Sequence, residues 1–463
     1  MTFRNDKRQK NQLTLNLRHA PMGETQQARK QATESRPASH DPQSPANTHQ
    51  LMEKICERTN LKAALRRVKA NKGSAGVDGM TVAQIGDYLK QHWPAIRIQL
   101  LSGAYEPKPV RRVEIAKPDG NGMRKLGIPT VLDRFIQQAV MQVLQEQWDP
   151  TFSQHSYGFR PGRSAHQAVA QAQHYIAQGH SWVVDLDLEQ FFDRVNHDKL
   201  MGQIAKRVDD KRLLKLIRAF LNAGVMENGV VSQSVEGTPQ GGPLSPLLSN
   251  LVLDELDHEL ERRGHRFVRY ADDSNIYVRS EQAGQRVMTS VKRFIAEKLK
   301  LKVNEAKSAV ARPQHRKFLG FSFTTGPEVK RIIAPKSLER FKRRIREITR
   351  HAKGVSIKTT LAELAPYMRG WRGYFGFCET PEVLVGLTRW VRMRLRSALW
   401  RQWKTPRRRR AALLALKVPA RLAKDTASSG YGPWRLIQSR GICTGLSNAY
   451  FRSLGFPSLI DGC

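Results

Sequence analysis

The sequence predicts a mixed α/β chain, with a central antiparallel sheet in its middle and an α-helical region at its end. Three observations predict it. The runs Phe267-Val268-Arg269-Tyr270 and Asn275-Ile276-Tyr277-Val278 are rich in β-branched and aromatic residues and flank Ala271-Asp272-Asp273-Ser274 as a hairpin. Trp182-Val183-Val184-Asp185-Leu186-Asp187 reads as a further strand, and helix-spaced apolar residues fill stretches between, such as Leu248 to Arg263. Beyond Gly326 the composition turns basic while the periodicity remains helical.

Each segment has its own signal. Residues 1–50 are rich in Gln, Asn, Ser, Thr and Pro without periodicity, and read as a flexible polar tail. From Leu51 apolar residues recur at helical spacing through Ile55, Leu61 and Leu65, ending at Gly73 in a turn-rich loop that reaches Gly79. Pro107 to Arg124 alternates extended runs with Pro and Gly, and Asp133 to Gln147 is helical again. Leu338, Phe341, Ile345 and Ile348 mark the apolar face of a helix whose other positions are mainly Lys and Arg. Thr380-Pro381-Glu382 reads as an N-cap, a first-turn proline and a dipole-matching acid, opening a helix through Leu384, Leu387, Val391 and Leu395. These signals divide the chain at about residues 51–180, 181–330 and 331–463.

A chain of 463 residues, 40% of them hydrophobic, has material for two to four packed units. Its net charge of +37 calls for a polyanionic partner, and nucleic acid is the usual one. From Arg331 to Cys463, 28 Lys or Arg stand against 7 Asp or Glu, a local net of +21 and more than half of the whole charge. The run Arg407, Arg408, Arg409 and Arg410, with Trp390, Trp400, Trp403 and Trp434 around it, reads as facing RNA. No stretch approaches the roughly 20 apolar residues of a membrane helix, so no membrane partner is expected. The N-terminus lacks a signal-peptide core. Cys56, Cys378, Cys443 and Cys463 are scattered, which supports neither a disulfide framework nor a zinc site. The expected location is cytoplasmic, in association with the nucleoid.

The chemistry is concentrated at Tyr270-Ala271-Asp272-Asp273 on the hairpin, with Asp187 ending an earlier strand. Transfer of a nucleotide develops negative charge on a phosphate that is already anionic, and two Mg²⁺ ions about 3.5–4 Å apart can activate the attacking hydroxyl and stabilise the leaving group. Mg²⁺ takes hard oxygen ligands, so Asp187, Asp272 and Asp273 converging from neighbouring strands suit it. Asp185 shares a strand face with Asp187 and is read as structural. Four further segments stand in order along the chain: Lys117-Pro118-Asp119-Gly120 with Arg124-Lys125-Leu126-Gly127-Ile128-Pro129; Tyr157-Gly158-Phe159-Arg160-Pro161-Gly162-Arg163-Ser164; Asp187 to Asp193; and Pro239-Gln240-Gly241-Gly242-Pro243-Leu244-Ser245-Pro246.

Together these segments resemble the reverse transcriptases encoded by bacterial and organellar group II introns, from about Asn71 to the C-terminus. The resemblance implies a right-hand polymerase with fingers, palm and a helical thumb and maturase region, and it implies that Asp187, Asp272 and Asp273 form the metal site. It assigns the triphosphate of a deoxynucleotide to Lys117 and Arg124, the incoming base to Gln240 and the steric gate to Phe192. In Phe191-Phe192 one ring belongs to the core and the other to the gate. Leu301 to Ser308 and Phe318-Leu319-Gly320-Phe321 also fit, as does Met368-Arg369-Gly370-Trp371-Arg372-Gly373-Tyr374-Phe375, which matches the maturase region. Arg160, Arg163, Lys307, Arg369, Trp371, Arg372 and the run from Arg407 are the expected nucleic-acid contacts. The implied partners are a group II intron RNA, a DNA primer or target and deoxynucleoside triphosphates, and the oligomeric state stays open. No His-Asn-His or paired Cys-x-x-Cys motif is present, which points to the endonuclease-lacking class. Two other readings stand beside this one: a splicing-only maturase, and a related reverse transcriptase co-opted for repair or defence without an intron partner.

Overall fold

Side-chain alternation decides how the centre of the molecule is built. In the computed structural model, which describes residues 50–116, 123–227, 230–232, 237, 241–350 and 354–460, the described strands run in chain order. They are β1 (Val110–Ala116), β2 (Met123–Ile128), β3 (Trp182–Leu186), β4 (Val225–Glu227), β5 (Val230–Ser232), β6 (Arg266–Tyr270), β7 (Asp273–Val278), β8 (Ala309–Ala311), β9 (Phe321–Phe323) and β10 (Arg331–Ile333). β6, β7, β3 and β8 form one antiparallel sheet in that order.

The period of two sends Val184, Leu186, Phe267, Ile276 and Val278 into one core, while Val183, Val268 and Tyr277 enter the other. Helix Ser245–Arg262 and helix Glu281–Phe294 cover the first face, and helix Ala165–Ala177 contributes Ala168, Val169 and Ala172 to the second. A sheet covered on both sides gives its strands an apolar character beyond that of a half-exposed hairpin. The antiparallel central sheet and the helical C-terminal region agree with expectation.

The flanking parts follow from local chemistry. β1 pairs antiparallel with β2 and parallel with β4, making a second, four-stranded sheet in the order β2-β1-β4-β5. Helix Val131–Trp148 starts where Thr130 accepts the Asp133 N–H through its hydroxyl at 3.0 Å, so the Ile128-Pro129-Thr130 segment ends a strand and caps a helix. Ser164 opens helix Ala165–Ala177 with a full capping box to Gln167.

Helix Ala165–Ala177 falls within the division at residues 51–180, yet it packs with the C-terminal core. His166 stacks on Phe377 with ring centroids 4.5 Å apart, and its Nε2 lies 2.8 Å from the Tyr374 carbonyl. Hydrophobic contact with β3, β6 and β7 outweighs proximity in sequence here. In the C-terminal region helix Pro335–Ile348 buries Phe341, Ile345 and Ile348 and exposes Arg343, Arg344 and Arg346. Helix Pro381–Gln402 begins at the expected proline, but the Thr380 side chain makes no capping hydrogen bond and its hydroxyl is buried without a partner. Pro381 at N1 and Glu382 in the first turn therefore carry that helix start.

Candidate active site

Strand register places the carboxylates. β3 and β7 pair antiparallel with Leu186 opposite Ser274, so one further step sets Asp187 beside Asp273. Asp273 pairs with Tyr270 across the β6–β7 hairpin, leaving Ala271 and Asp272 as its two-residue tip. Asp187 is clasped from below by the Leu301–Ser308 segment: its carbonyl accepts the Asn304 N–H at 2.8 Å and its N–H donates to Ser308 Oγ at 3.0 Å. Asp187 Oδ2 is buried and accepts no hydrogen bond, with the Lys307 ammonium 3.3 Å away as an ion-pair partner.

The site is crowded with negative charge. Desolvation and the charges of Asp272, Asp185 and Asp187 push the Asp273 carboxyl up to about 7. Asp185 is held by Arg316, whose Nε donates at 2.7 Å, which agrees with a structural role.

A buried network holds the hairpin tip. Arg269 and Asp257 expose almost none of their side chains, and Arg269 Nε donates to the two carboxylate oxygens at 2.8 and 2.9 Å. The same guanidinium reaches the Ala271 carbonyl and Asn250 Oδ1, each at 3.0 Å, and Asn250 Nδ2 donates to the Gly158 carbonyl at 2.9 Å. Ala271 takes φ 58°, a left-handed conformation that non-glycine residues adopt at a cost. Gly158 lies against it, since a Cβ there would come within 2.2 Å of the Ala271 nitrogen. The glycine of Tyr157-Gly158-Phe159 is thus required by close backbone approach to the β6–β7 hairpin.

A cleft of about 500 Å³ is lined by Phe192, Leu126, Arg134, Gln138, Gly241 and Pro243 among others. Phe191 is buried in the core, whereas Phe192 is half-buried and lines this cleft. Arg134 and Gln138 are additions that the sequence reading missed. Burial holds the Arg134 guanidinium below its usual range, its Nε lacks a hydrogen-bond partner, and another of its nitrogens donates to the Ser74 carbonyl at 2.6 Å. No sequence signal sets them apart, since the same helix carries Asp133, Gln137, Gln142, Gln145, Glu146 and Gln147 as well. Arg124 is carried on β2 opposite Ile115. Lys117 and Gln240 lie outside the described residues.

With this geometry in place, two family models match the chain: "Reverse transcriptase (RNA-dependent DNA polymerase)" over residues 115–323 and "Group II intron, maturase-specific domain" over residues 338–414, together more than half of it. The chain belongs to the group II intron reverse transcriptases. Protein YkfC of Escherichia coli K12 is 37% identical over 219 residues, covering 46% of this chain and 57% of that protein. The group II intron-encoded protein LtrA of Lactococcus lactis subsp. cremoris is 32% identical over 323 residues, covering 56% of this chain and 54% of that protein. The chain spans about half the length of these curated relatives. A solved structure titled "Partial Cas6-RT-Cas1--Cas2 complex" aligns with a TM-score of 0.35 and 26% identity over 53% of this chain and 42% of that one.

The reverse transcriptase match contains all three carboxylates and Phe192, and the maturase match contains Arg369 to Arg410. Among the described residues no group of three or more His, Cys, Asp or Glu side chains is placed to hold a metal ion. The donor chemistry nonetheless suits a divalent cation: Asp187 Oδ2, buried and without a hydrogen bond, stands among the charges of Asp185, Asp272 and Asp273, where an ion would take the place of the Lys307 ammonium now 3.3 Å away. No helix of the described residues is long and apolar enough to cross a membrane.

Two of the expected nucleic-acid contacts are corrected. Arg160 is buried, with its guanidinium committed to Asp149 at 2.8 Å and to the carbonyls of Ser153 and Ser156 at 2.6 and 3.0 Å. It ties down the loop before helix Ala165–Ala177 and cannot meet a phosphate. Trp371 is also core, with its ring centroid 4.4 Å from that of Phe341. Arg163 is half-buried and lies over the Tyr157 ring at 5.5 Å. Arg369, Arg407, Arg408 and Arg410 are exposed, Arg372 is half-buried, and Arg409 stacks over Trp400 at 4.6 Å.

Proposed function

We propose that this reverse transcriptase synthesises DNA on an RNA template, binds a group II intron RNA, assists its splicing and copies it during intron mobility. The observation that carries this reading is the β3–β7 register, which sets Asp187 beside Asp273 at the base of the Asp272 hairpin tip. Asp187, Asp272 and Asp273 would hold two Mg²⁺ ions, whose charge activates the primer hydroxyl and stabilises the leaving pyrophosphate. The chain's own residues do the rest. Arg269 fixes the hairpin backbone so that the carboxylates need not reorganise during the reaction. The Phe192 ring, at the wall of the cleft, excludes a 2′-hydroxyl, and Arg134 and Gln138 bound the same space from the fingers side. Lys117, Arg124 and Gln240 belong to the same nucleotide site by resemblance.

The exposed arginines of the maturase domain give the RNA-binding half of the reading, since phosphate neutralisation dominates affinity for nucleic acid. Primer extension on an RNA template with Mg²⁺, run beside splicing of the cognate intron RNA, tests both halves. DNA synthesis together with accelerated splicing is the expected result. Splicing without synthesis would leave a maturase alone, and synthesis without intron binding would leave a co-opted polymerase.

A further inference from the structure

Away from the carboxylates, the ends of three C-terminal helices enclose a second cavity of about 380 Å³. Helix Pro335–Ile348 and the residues after it supply Arg346 and Arg350, helix Pro381–Gln402 supplies Arg394 and Arg401, and the short helix Pro433–Leu436 supplies Trp434. The one carboxylate in the lining, Glu347, pairs with Arg344 at 3.0 Å. Two of the four arginines are oriented by neutral partners: Arg394 Nε donates to Thr349 Oγ1 at 3.1 Å, and Arg346 lies over the Trp390 ring at 5.6 Å. Their positive charge is therefore aimed without being cancelled. Burial and the charges of Arg346 and Arg401 push the Arg394 guanidinium below its usual range, which an entering anion would relieve. Trp434 is 45% exposed and lines the cavity, which leaves ring surface on which a base can stack.

From this we infer that the cavity takes one unpaired nucleotide of an RNA strand, its phosphate among Arg346, Arg350, Arg394 and Arg401 and its base stacked on Trp434. The volume falls within the roughly 300–1,000 Å³ of single-ligand sites. Guanidinium forks suit phosphate oxygens, and an aromatic face accepts any base. Proteins read RNA chiefly where bases are splayed from the helix, so a bulged nucleotide is the form that can enter. The inference rests on the intron-RNA reading above and names a place within that interaction.

The test uses the full chain and two RNA duplexes, identical except that one carries a single unpaired adenosine in its middle. Fluorescence anisotropy at fixed salt gives both affinities. The bulged duplex should bind about tenfold tighter. Trp434→Ala should abolish that preference, Trp434→Phe should keep most of it, and Arg394→Gln should weaken binding of the bulged duplex. Circular dichroism checks that each variant is folded. A wild-type protein that binds both duplexes alike overturns the cavity's role while leaving RNA binding intact, and so does a folded Trp434→Ala that keeps the preference. A wild-type protein that binds neither duplex overturns the intron-RNA reading itself. Competition by millimolar AMP as effective as competition by the bulged RNA would make this a free-nucleotide site and also overturn the proposal.

Discussion

Arg269 and Asp257 form an ion pair sealed from solvent on both sides, and the free edge of the guanidinium donates to the carbonyl of Ala271, the residue before Asp272. Burying two charges is costly, so the pair is poor evidence for stability and better evidence for a fixed geometry. Arg269→Met leaves Asp257 buried alone and should cost about 3–5 kcal/mol in urea unfolding. Combining it with Asp257→Leu should restore much of the stability. DNA synthesis by the folded double variant should remain about tenfold low, because the hydrogen bond to the Ala271 carbonyl is still missing. Full synthesis by the double variant would show that the hairpin holds itself.

Phe192 and Phe191 lie next to each other but in different surroundings, one on the cleft and one in the core. Phe192→Val should lower discrimination against ribonucleotides by about tenfold or more in single-turnover incorporation, with little change in stability. Phe191→Ala should instead destabilise the fold by about 3–5 kcal/mol. An unchanged sugar preference in Phe192→Val would remove that ring from the gate.

Much of this site was legible because its signals are local. Strand periodicity and a two-residue turn are short-range features, so the hairpin and the strand that leads into Asp187 could be read directly, and a register that ends with Leu186 opposite Ser274 leaves Asp187 and Asp273 at the same end of the sheet. What could not be read depends on packing over long separations. Arg160 looks like a surface cation until Asp149 and two carbonyls surround it, and Trp371 looks like a stacking platform until Phe341 covers it. Arg134 and Gln138 join Phe192 only because helix Val131–Trp148 and the Phe191–Asp193 turn meet in space. Helix Ala165–Ala177 precedes the central sheet's first strand in the chain, and only hydrophobic contact over long separations reveals that it packs against Val183, Val268 and Tyr277.

The arginine run of helix Pro406–Ala415 divides by exposure. Arg407, Arg408 and Arg410 face solvent, whereas Arg409 is half-buried over Trp400. Replacing each exposed arginine by Gln should weaken intron RNA binding and flatten the slope of log affinity against log salt by about 0.7–0.9 for every phosphate that is no longer neutralised. Arg409→Gln should act mainly on thermal stability. A salt slope untouched by the triple exposed variant would place the RNA elsewhere.

His258 provides a pH-dependent contribution to stability. Its hydrogen bond to Asp254, at 3.3 Å, raises the imidazole from 6.5 to about 9. A group raised on folding stabilises fully below its unfolded value and loses that effect as pH rises through its folded value. His258→Gln should therefore lower Tm near pH 6 and make little difference near pH 10. The ring is half-exposed, so solvent screening limits the effect to about 1 kcal/mol or less. An equal loss at the two pH values would assign the effect to packing.

Asp272→Asn is the most direct test of the active site, because it removes one charge from the hairpin tip and keeps the side chain's size. Primer extension on an RNA template with Mg²⁺ should fall by about a hundredfold or more, since stabilisation of charge in the transition state is lost. Intron RNA binding by the same preparation should stay within about twofold of wild type, because the proposed RNA surface is the basic C-terminal region, away from this hairpin. Robust DNA synthesis by the folded variant would contradict the assignment of Asp272 and, with it, the carboxylate site at this hairpin.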